Sequence, residues 1–136
     1  MPKFGTKSRA NLAGAHPLLQ KLFNEVIKDI DCTVLDSQRD RQAQERAFKL
    51  GHSKAHFGQS AHNWSPAIAV DVVPFPLDWE DTASFRRLAK VVLSKAKELQ
   101  IPIEWGGSWT GLVDMPHYEL SPWRDWAKKS KPYGGK

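Results

Sequence analysis

Two histidines and an aspartate on separate stretches of this chain are residue types from which proteins build catalytic metal sites. Residues 67–73 are apolar at every position except Asp71, a pattern that predicts a strand buried on both faces. An isolated carboxylate in such a strand costs on the order of several kcal/mol unless something positive meets it. His62 precedes this strand, and His117 lies in a later β-like run in which Glu119 shares its face. Two histidines and one carboxylate would leave a zinc ion with one open position, as catalytic zinc requires.

Two other interpretations of these histidines and acids stay open at the level of spacing. In the first, His62 caps a turn and Asp71 pairs with a nearby arginine, so that neither binds metal. The second concerns His52 and His56, which are spaced as a metal-binding pair would be on a helix. Glycines flank them within residues 51–58 and disfavour a stable helix, so we interpret both as loop residues that line a cleft.

Three motifs carry a resemblance to a known family: SAHNWSPAIAVDVVP at 60–74, WGGSW at 105–109 and DMPHYEL at 114–120. Together they resemble the zinc peptidases of the D-alanyl-D-alanine carboxypeptidase superfamily. The match is closest to the small phage L-alanyl-D-glutamate peptidases, which are endolysins that cut the stem peptides of peptidoglycan. It extends from about Val34 to Leu120. It implies zinc bound by the two histidines and the aspartate named above.

Asp114 is the carboxylate that we predict to move the proton in such a site. It lies three residues before His117, with Pro116 between them, so it can hang over the open position of the metal. Zinc lowers the pKa of its bound water towards neutrality, and a nearby carboxylate takes the proton as the water attacks. The same group can return the proton to the leaving amine. Glu119 is the rival carboxylate, and we predict that it orients a ligand histidine instead.

By the resemblance, Arg39 is the arginine that follows the first strand of the superfamily, just before a helix bearing Gln44. There it helps to bind the substrate and stabilises the developing oxyanion, which suits a planar side chain that stays charged. The alternatives are a solvated arginine at a helix start, or Arg41 in the same role. Many relatives also place a histidine two residues before the last ligand, where this chain has Met115. The oxyanion role is therefore left between Arg39 and the zinc.

Three further residues are candidates for contact with a substrate. Ser60 lies two residues before His62 and could hydrogen-bond a neighbouring group or the substrate. Trp105 and Trp109 flank two glycines that allow close backbone approach, and by the resemblance they lie beside the active site and can wall its cleft. Trp105 could equally belong to the core.

The elements that must position these residues follow from hydrophobic periodicity. We predict an α+β fold in which a small antiparallel sheet carries the zinc site and two long amphipathic helices pack on the face away from the zinc. The predicted helices are 17–27, 41–50 and 82–99, and the predicted strands are 32–35, 67–73 and 103–105, with a β-like run at 117–120.

Length and cysteine content limit what else the chain can be. At 136 residues it is expected to form one domain, with a C-terminal basic tail at about 128–136. A single cysteine, Cys32, excludes an intramolecular disulfide and a cysteine-rich metal site. The chain has no apolar run of membrane-spanning length, and its N-terminus lacks the core of a secretory signal. We expect a monomer made in the host cytoplasm that reaches the periplasmic cell wall only after release by another factor.

The net charge of +5 and the pI near 9.4 are consistent with a polyanionic partner, and also with a soluble protein that is basic without such a partner. No nucleic-acid motif accompanies the charge, so we expect peptidoglycan and no nucleic acid. Trp123 and Trp126 beside C-terminal lysines would suit peripheral contact with an anionic membrane or lipopolysaccharide. We favour the other interpretation, in which these tryptophans dock on the core and a disordered tail follows.

The predicted function is a zinc-dependent peptidoglycan endopeptidase that hydrolyses the L-Ala–D-Glu bond during phage-driven host cell lysis. A D-Ala-D-Ala carboxypeptidase on the same metal site is the first alternative, and the sequence does not separate the two. The second alternative is a non-catalytic, zinc-stabilised binding module, since the superfamily includes hedgehog signalling domains. Asp114 is intact, which favours an enzyme, because a purely structural site would not need it.

Overall fold

A four-stranded antiparallel sheet forms the centre of the fold in the computed structural model, which describes residues 2–134. The strands are β1 (Cys32–Asp36), β2 (Trp64–Ser65), β3 (Ala69–Pro74), β4 (Ile103–Trp105), β5 (His117–Leu120) and β6 (Lys131–Pro132). The strands of the central sheet lie in the order β1, β3, β5, β4. Strands β2 and β6 form a separate two-stranded sheet. The helices are α1 (Thr6–Ala13), α2 (Pro17–Asp29), α3 (Arg41–Lys49), α4 (Thr82–Leu99) and α5 (Trp123–Ala127).

The two faces of the central sheet differ in polarity because side chains alternate along its strands. Val70 and Val72 of β3 and Tyr118 of β5 are fully or almost fully buried in the hydrophobic core. Asp71 lies directly opposite His117 in the pairing of β3 with β5, so these two polar side chains share the other face. One strand pair thus separates the core from a polar site.

Helices α2 and α4 cover the apolar face. Pro17 occupies the first turn of α2, where a missing N–H costs nothing, and the His16 ring accepts a hydrogen bond from the Leu18 N–H. Phe23 of α2 meets the ring of Tyr118 edge to face at a centroid distance of 5.6 Å. The α+β fold, with its small antiparallel sheet and long helices on the face away from the site, is therefore confirmed.

The C-terminal basic segment differs from the sequence prediction. Trp123 and Trp126 pack against the core as expected. The residues after them are not all disordered, because Lys131 pairs with Ser65 in the two-stranded sheet and the Tyr133 N–H donates to the Asn63 carbonyl at 2.8 Å. Backbone pairing with a distant loop, which composition does not encode, gives this segment its order. The last two residues of the predicted tail, 135–136, lie outside the described part of the chain.

Helix α1 was not predicted, since its pattern of apolar residues is weak. Only Ser8 and Leu12 of this helix are buried, and Ser8 holds β1 through a hydrogen bond from the Val34 N–H to its hydroxyl. Tertiary contact therefore fixes α1 more than its own periodicity does. Within residues 2–134, no helix combines the length and the apolar character needed to cross a membrane.

Candidate metal centre and cleft

Three donor atoms converge on the polar face of the sheet, one each from His62, Asp71 and His117. The Nε2 atom of His62 is 3.2 Å from Oδ1 of Asp71 and 3.2 Å from Nδ1 of His117, and the third side of the triangle is 3.4 Å. A tetrahedral zinc about 2.0–2.1 Å from its ligands holds them about 3.3–3.4 Å apart. The triangle therefore has the size of one face of a tetrahedral metal site.

Each histidine of the triangle is held by a hydrogen bond on the far side of its ring. The Nδ1–H of His62 donates to the Ser37 carbonyl at 2.7 Å, which leaves the Nε2 lone pair directed into the triangle. The Nε2–H of His117 donates to Oε1 of Glu119 at 2.6 Å, which leaves Nδ1 for the metal. Metal-binding histidines usually have such a partner, which fixes the tautomer and ring orientation. This is the ligand-orienting position that the sequence predicted for Glu119.

The charge around the triangle favours a cation. Asp71, Asp114 and Glu119 all line the same cleft beside His117. Burial alone would lower the pKa of His117, but its hydrogen bonds to Asp71 and Glu119 outweigh burial and raise that pKa to about 10. Burial likewise opposes ionisation of Asp71, yet the charges and hydrogen bonds of His62 and His117 hold its pKa well below the usual range. Without a metal ion, the neighbouring carboxylates stabilise the protonated, positively charged form of His117. A divalent ion bound at the triangle would supply that positive charge instead.

Arg39 braces the aspartate of the triangle. One Nη2 atom of its guanidinium lies 3.4 Å from Oδ2 of Asp71, the oxygen that points away from the histidines. The same group contacts Oδ2 of Asp36 at 3.3 Å and donates from Nη1 to Oε1 of Gln44 at 3.1 Å. The arginine that the sequence places near a substrate therefore directs Asp71 towards the metal position. Its predicted part in oxyanion stabilisation stays a prediction. Arg41, the rival, stacks on the Phe57 ring, with 4.7 Å between its guanidinium carbon and the ring centroid.

Asp114 lies beside the triangle but is not one of its three donor residues. Its Oδ2 is 4.0 Å from Nδ1 of His117, within reach of a small molecule held at the open side of the site. Burial, reinforced by the charge of Asp71, raises the pKa of Asp114. Its backbone is fixed by a hydrogen bond from the Asp114 N–H to the Gly106 carbonyl at 3.0 Å. This is the position that the sequence predicts for a proton-transferring carboxylate.

The donor triangle opens into a cleft of about 1070 Å³. Trp109 lines this cleft, with its ring centroid 5.0 Å from that of His117 and its indole N–H donating to Glu104 at 2.7 Å. Ser60 also lines it, but its hydroxyl caps the turn that carries His62 by accepting the His62 N–H at 3.2 Å. Trp109 therefore forms part of the cleft wall. Ser60 positions His62, which is one of the three candidate metal ligands.

Trp105 lies at the hydrophobic core, which is the second of the two locations that the sequence allowed for it. It packs against the core, and its indole N–H donates to the Met115 carbonyl at 2.7 Å. It is absent from the cleft lining among the described residues. Its position therefore does not support the predicted contact with substrate. Its role here is to brace the loop that leads to His117.

The second histidine pair does not form a metal site in the part of the chain that the structure describes, where His62, Asp71 and His117 are the one cluster of this kind. His56 pairs with Glu45 at 2.8 Å and packs on the Phe48 ring, while His52 lines the cleft. Gly51 and Gly58 have φ angles of 79° and 91°, so the backbone between them begins and ends in conformations that favour glycine.

Sequence reasoning missed one buried residue that holds the site together. Asn63 is fully buried, and its side-chain oxygen accepts hydrogen bonds from the Gly58 and Ser60 N–H groups at 2.9 and 3.1 Å. Its amide group donates to Oε1 of Gln44 at 3.1 Å and to the Arg39 carbonyl at 3.2 Å. The signal available in the sequence was an asparagine directly after a candidate ligand and three residues after a serine that can cap a turn.

These features define the class as a small α+β domain in which a His–Asp–His cluster that could hold a metal ion lies beside a further carboxylate in a cleft. The family model of the phage L-alanyl-D-glutamate peptidases matches residues 1–120. The chain belongs to that family.

Two relatives extend the comparison. The chain is 30% identical to the L-Ala D-Glu endopeptidase ChiX of Serratia marcescens, whose crystal structure superposes with a TM-score of 0.77 over 92% of this chain and 94% of that one. It is 27% identical over 108 residues to the peptidoglycan L-alanyl-D-glutamate endopeptidase CwlK of Bacillus subtilis (strain 168). That match covers 70% of this chain and 64% of CwlK, so the chain spans less than two thirds of that relative.

Proposed function

We propose that this protein is a zinc-dependent peptidoglycan endopeptidase that hydrolyses the L-Ala–D-Glu bond of stem peptides. The observation that carries the proposal is the triangle of His62, Asp71 and His117 donor atoms, with sides of 3.2–3.4 Å, beside Asp114 in an open cleft. Membership of the family and the endopeptidase activities for which ChiX and CwlK are named support the choice of bond. The phage origin of the family supports a role in host cell lysis, with the protein reaching the wall from the host cytoplasm.

The residues of the site divide the chemistry among them. His62, Asp71 and His117 would hold the zinc, which when bound supplies a Lewis acid that acidifies a water ligand and polarises the scissile carbonyl. Asp114 takes a proton from the attacking water as the water oxygen bonds to the L-Ala carbonyl carbon. As the C–N bond breaks, Asp114 delivers that proton to the leaving amine of D-Glu. Trp109 forms a wall of the cleft beside His117.

Mass spectrometry of purified Gram-negative peptidoglycan digested by the protein tests this function. We expect new N-termini at D-Glu, and their loss when a zinc chelator is added. Release of terminal D-Ala would instead make the protein a carboxypeptidase. A protein that binds one zinc per chain but yields no product would be the zinc-stabilised binding module.

Gly106→Ala is expected to lower kcat by about 10²-fold, because a displacement of about 1 Å at a catalytic group has an effect of this size. A Cβ atom on Gly106 would overlap the backbone oxygen of Asp114 and lie 3.1 Å from the Cβ atoms of Asp114 and His117. The loop that carries the general base must then move. Steady-state kinetics would measure the change, with zinc content measured on the same samples.

Gly5→Ala is the matched control for this substitution, because a Cβ there would meet nothing within 4 Å. It should leave kcat at the parental value. If Gly106→Ala protein also keeps the parental kcat, the fixed position of Asp114 is not needed for the reaction.

A further inference from the structure

Besides its acidic groups, the cleft is lined by a lysine that pairs with none of them in the part of the chain that the structure describes. Asp71, Asp114 and Glu119 line the cleft around the donor triangle. Lys54 lines it from the glycine-bracketed loop 51–58. A methyl group built on Gly111 would lie 3.7 Å from the Nζ atom of Lys54, so the ammonium group reaches across to the loop that leads to Asp114.

Among the described residues, one arginine and one lysine line the cleft, and Lys54 is the one left for a ligand. The guanidinium of Arg39 is engaged by Asp36, Asp71 and Gln44, and its side chain is only 15% exposed. Lys54 is exposed, and within residues 2–134 it forms no ion pair and no side-chain hydrogen bond. A negatively charged ligand entering the cleft would meet repulsion at the acids and attraction at Lys54.

The backbone on both sides of Lys54 is anchored to the metal site. The buried amide of Gln44 donates from Nε2 to Oγ of Ser53 at 3.0 Å and to the Ala55 carbonyl at 2.7 Å. The Ala55 N–H in turn donates to Oγ of Ser53 at 3.1 Å. The Oε1 atom of the same Gln44 amide accepts a hydrogen bond from Arg39, which braces Asp71. Lys54 therefore starts from a fixed place relative to the reacting bond, as a specificity residue must.

We propose that Lys54 binds a free carboxylate of the stem peptide on the leaving-amine side of the scissile bond. This inference rests on the proposed function. In an L-Ala–D-Glu bond whose glutamate continues through its side-chain carboxyl, the α-carboxylate is free and lies next to the nitrogen that leaves. A cation anchored in the same cleft selects peptides that keep this charge over peptides in which it is an amide. Lys54 therefore gives the protein a preference for stem peptides whose D-Glu α-carboxylate is not amidated.

Three synthetic peptides with the sequence L-Ala–γ-D-Glu–L-Lys test the assignment: one with both carboxylates free, one amidated at the α-carboxylate of D-Glu, and one amidated at the C-terminus. We expect the parent protein to favour the free acid over the D-Glu amide by about tenfold in kcat/KM. Lys54→Met should bring that ratio close to one, mainly through KM, and Lys54→Arg should restore much of it. If Lys54→Met keeps the preference for the free acid over the D-Glu amide, and instead loses a preference for the free acid over the C-terminal amide, Lys54 contacts the third residue and not D-Glu.

Lys49→Met is the control for general attraction to an anionic substrate, since Lys49 is exposed at the end of α3 and lies outside the cleft lining. It removes the same charge and should leave the acid-to-amide ratio unchanged. Equal effects of Lys49→Met and Lys54→Met, or an unchanged ratio in Lys54→Met, would overturn the inference while the proposed function stands.

The proposed function fails separately, if digestion of peptidoglycan by the parent protein yields no new D-Glu N-termini. Inhibition of that digestion by the same three peptides gives a second readout for peptides that are bound but not cut. An inhibition constant for the free acid that does not rise in Lys54→Met would also overturn the assignment of Lys54.

Discussion

Asp114→Ala protein is expected to keep one zinc ion per chain and to lose about 10²–10⁴-fold in kcat, the usual contribution of a general acid–base group. The metal should stay because Asp114 is not part of the donor triangle and approaches His117 only to 4.0 Å. The rate should fall because Asp114 is the carboxylate beside the open side of the triangle, where it can take the proton from water and return it to the amine. Metal analysis and steady-state hydrolysis of stem peptides would be measured on the same preparation.

Glu119→Gln is the comparison that separates the two rival carboxylates. Glu119 contacts His117 at Nε2, on the side of the ring away from the donor triangle, at 2.6 Å. Its loss should weaken zinc binding by about 10–100-fold, and excess zinc should restore activity. Near-parental kcat in Asp114→Ala, or a loss in Glu119→Gln that excess zinc does not repair, would transfer the general-base role to Glu119.

The candidate donors could be picked out by local signals, and the resemblance of the three motifs joined them into one predicted site. Asp71 is the one polar residue in a run of apolar ones, and its neighbours fix which face of β3 it shares. The strand period places His117 and Glu119 on one face of β5, and antiparallel pairing then puts His117 opposite Asp71. Here a two-residue period and a register decide the geometry of a site assembled from distant segments. The amphipathic helices were predictable on the same grounds.

The supports of the triangle were not predictable because they depend on contacts between distant segments. The arrangement of Gln44, Asn63 and Arg39 is set by hydrogen bonds that span up to 32 residues of sequence, including the contact of Arg39 with Asp71. No periodicity records which buried amide meets which backbone carbonyl. The pairing of Lys131 with Ser65 is of the same kind, which is why the C-terminal segment was predicted to be disordered.

Those supports change how Arg39 is understood. An arginine with free N–H groups beside a zinc site suits oxyanion stabilisation. The guanidinium of Arg39 instead donates hydrogen bonds to Asp36, Gln44 and Asp71. Met115, which stands where many relatives have a histidine, lines the cleft and offers no strong hydrogen-bond donor from its side chain. Substrate binding would have to loosen one of the contacts of Arg39 for it to reach an oxyanion.

His117→Ala is expected to abolish stoichiometric zinc binding and all measurable hydrolysis, since it removes one of three protein ligands. It should also destabilise the protein studied in chelator by about 3–5 kcal/mol. The reason is that Asp71 and the almost completely buried Glu119 lose the imidazole that lies 3.4 and 2.6 Å from their oxygens. Metal analysis and urea unfolding with chelator present would measure the two effects independently.

His56→Ala is the matched control for that substitution, because it removes a histidine that pairs with Glu45 outside the triangle and is more than half exposed, at 54%. It should keep one zinc per chain and lose little stability, since exposed ion pairs contribute at most about 1 kcal/mol. A His117→Ala protein that bound zinc as the parent does, together with a His56→Ala protein that did not, would move the metal to the loop of residues 51–58. Retention of zinc by both would leave the donor triangle as a hydrogen-bonded cluster, and the hydrolytic mechanism built on it would fall.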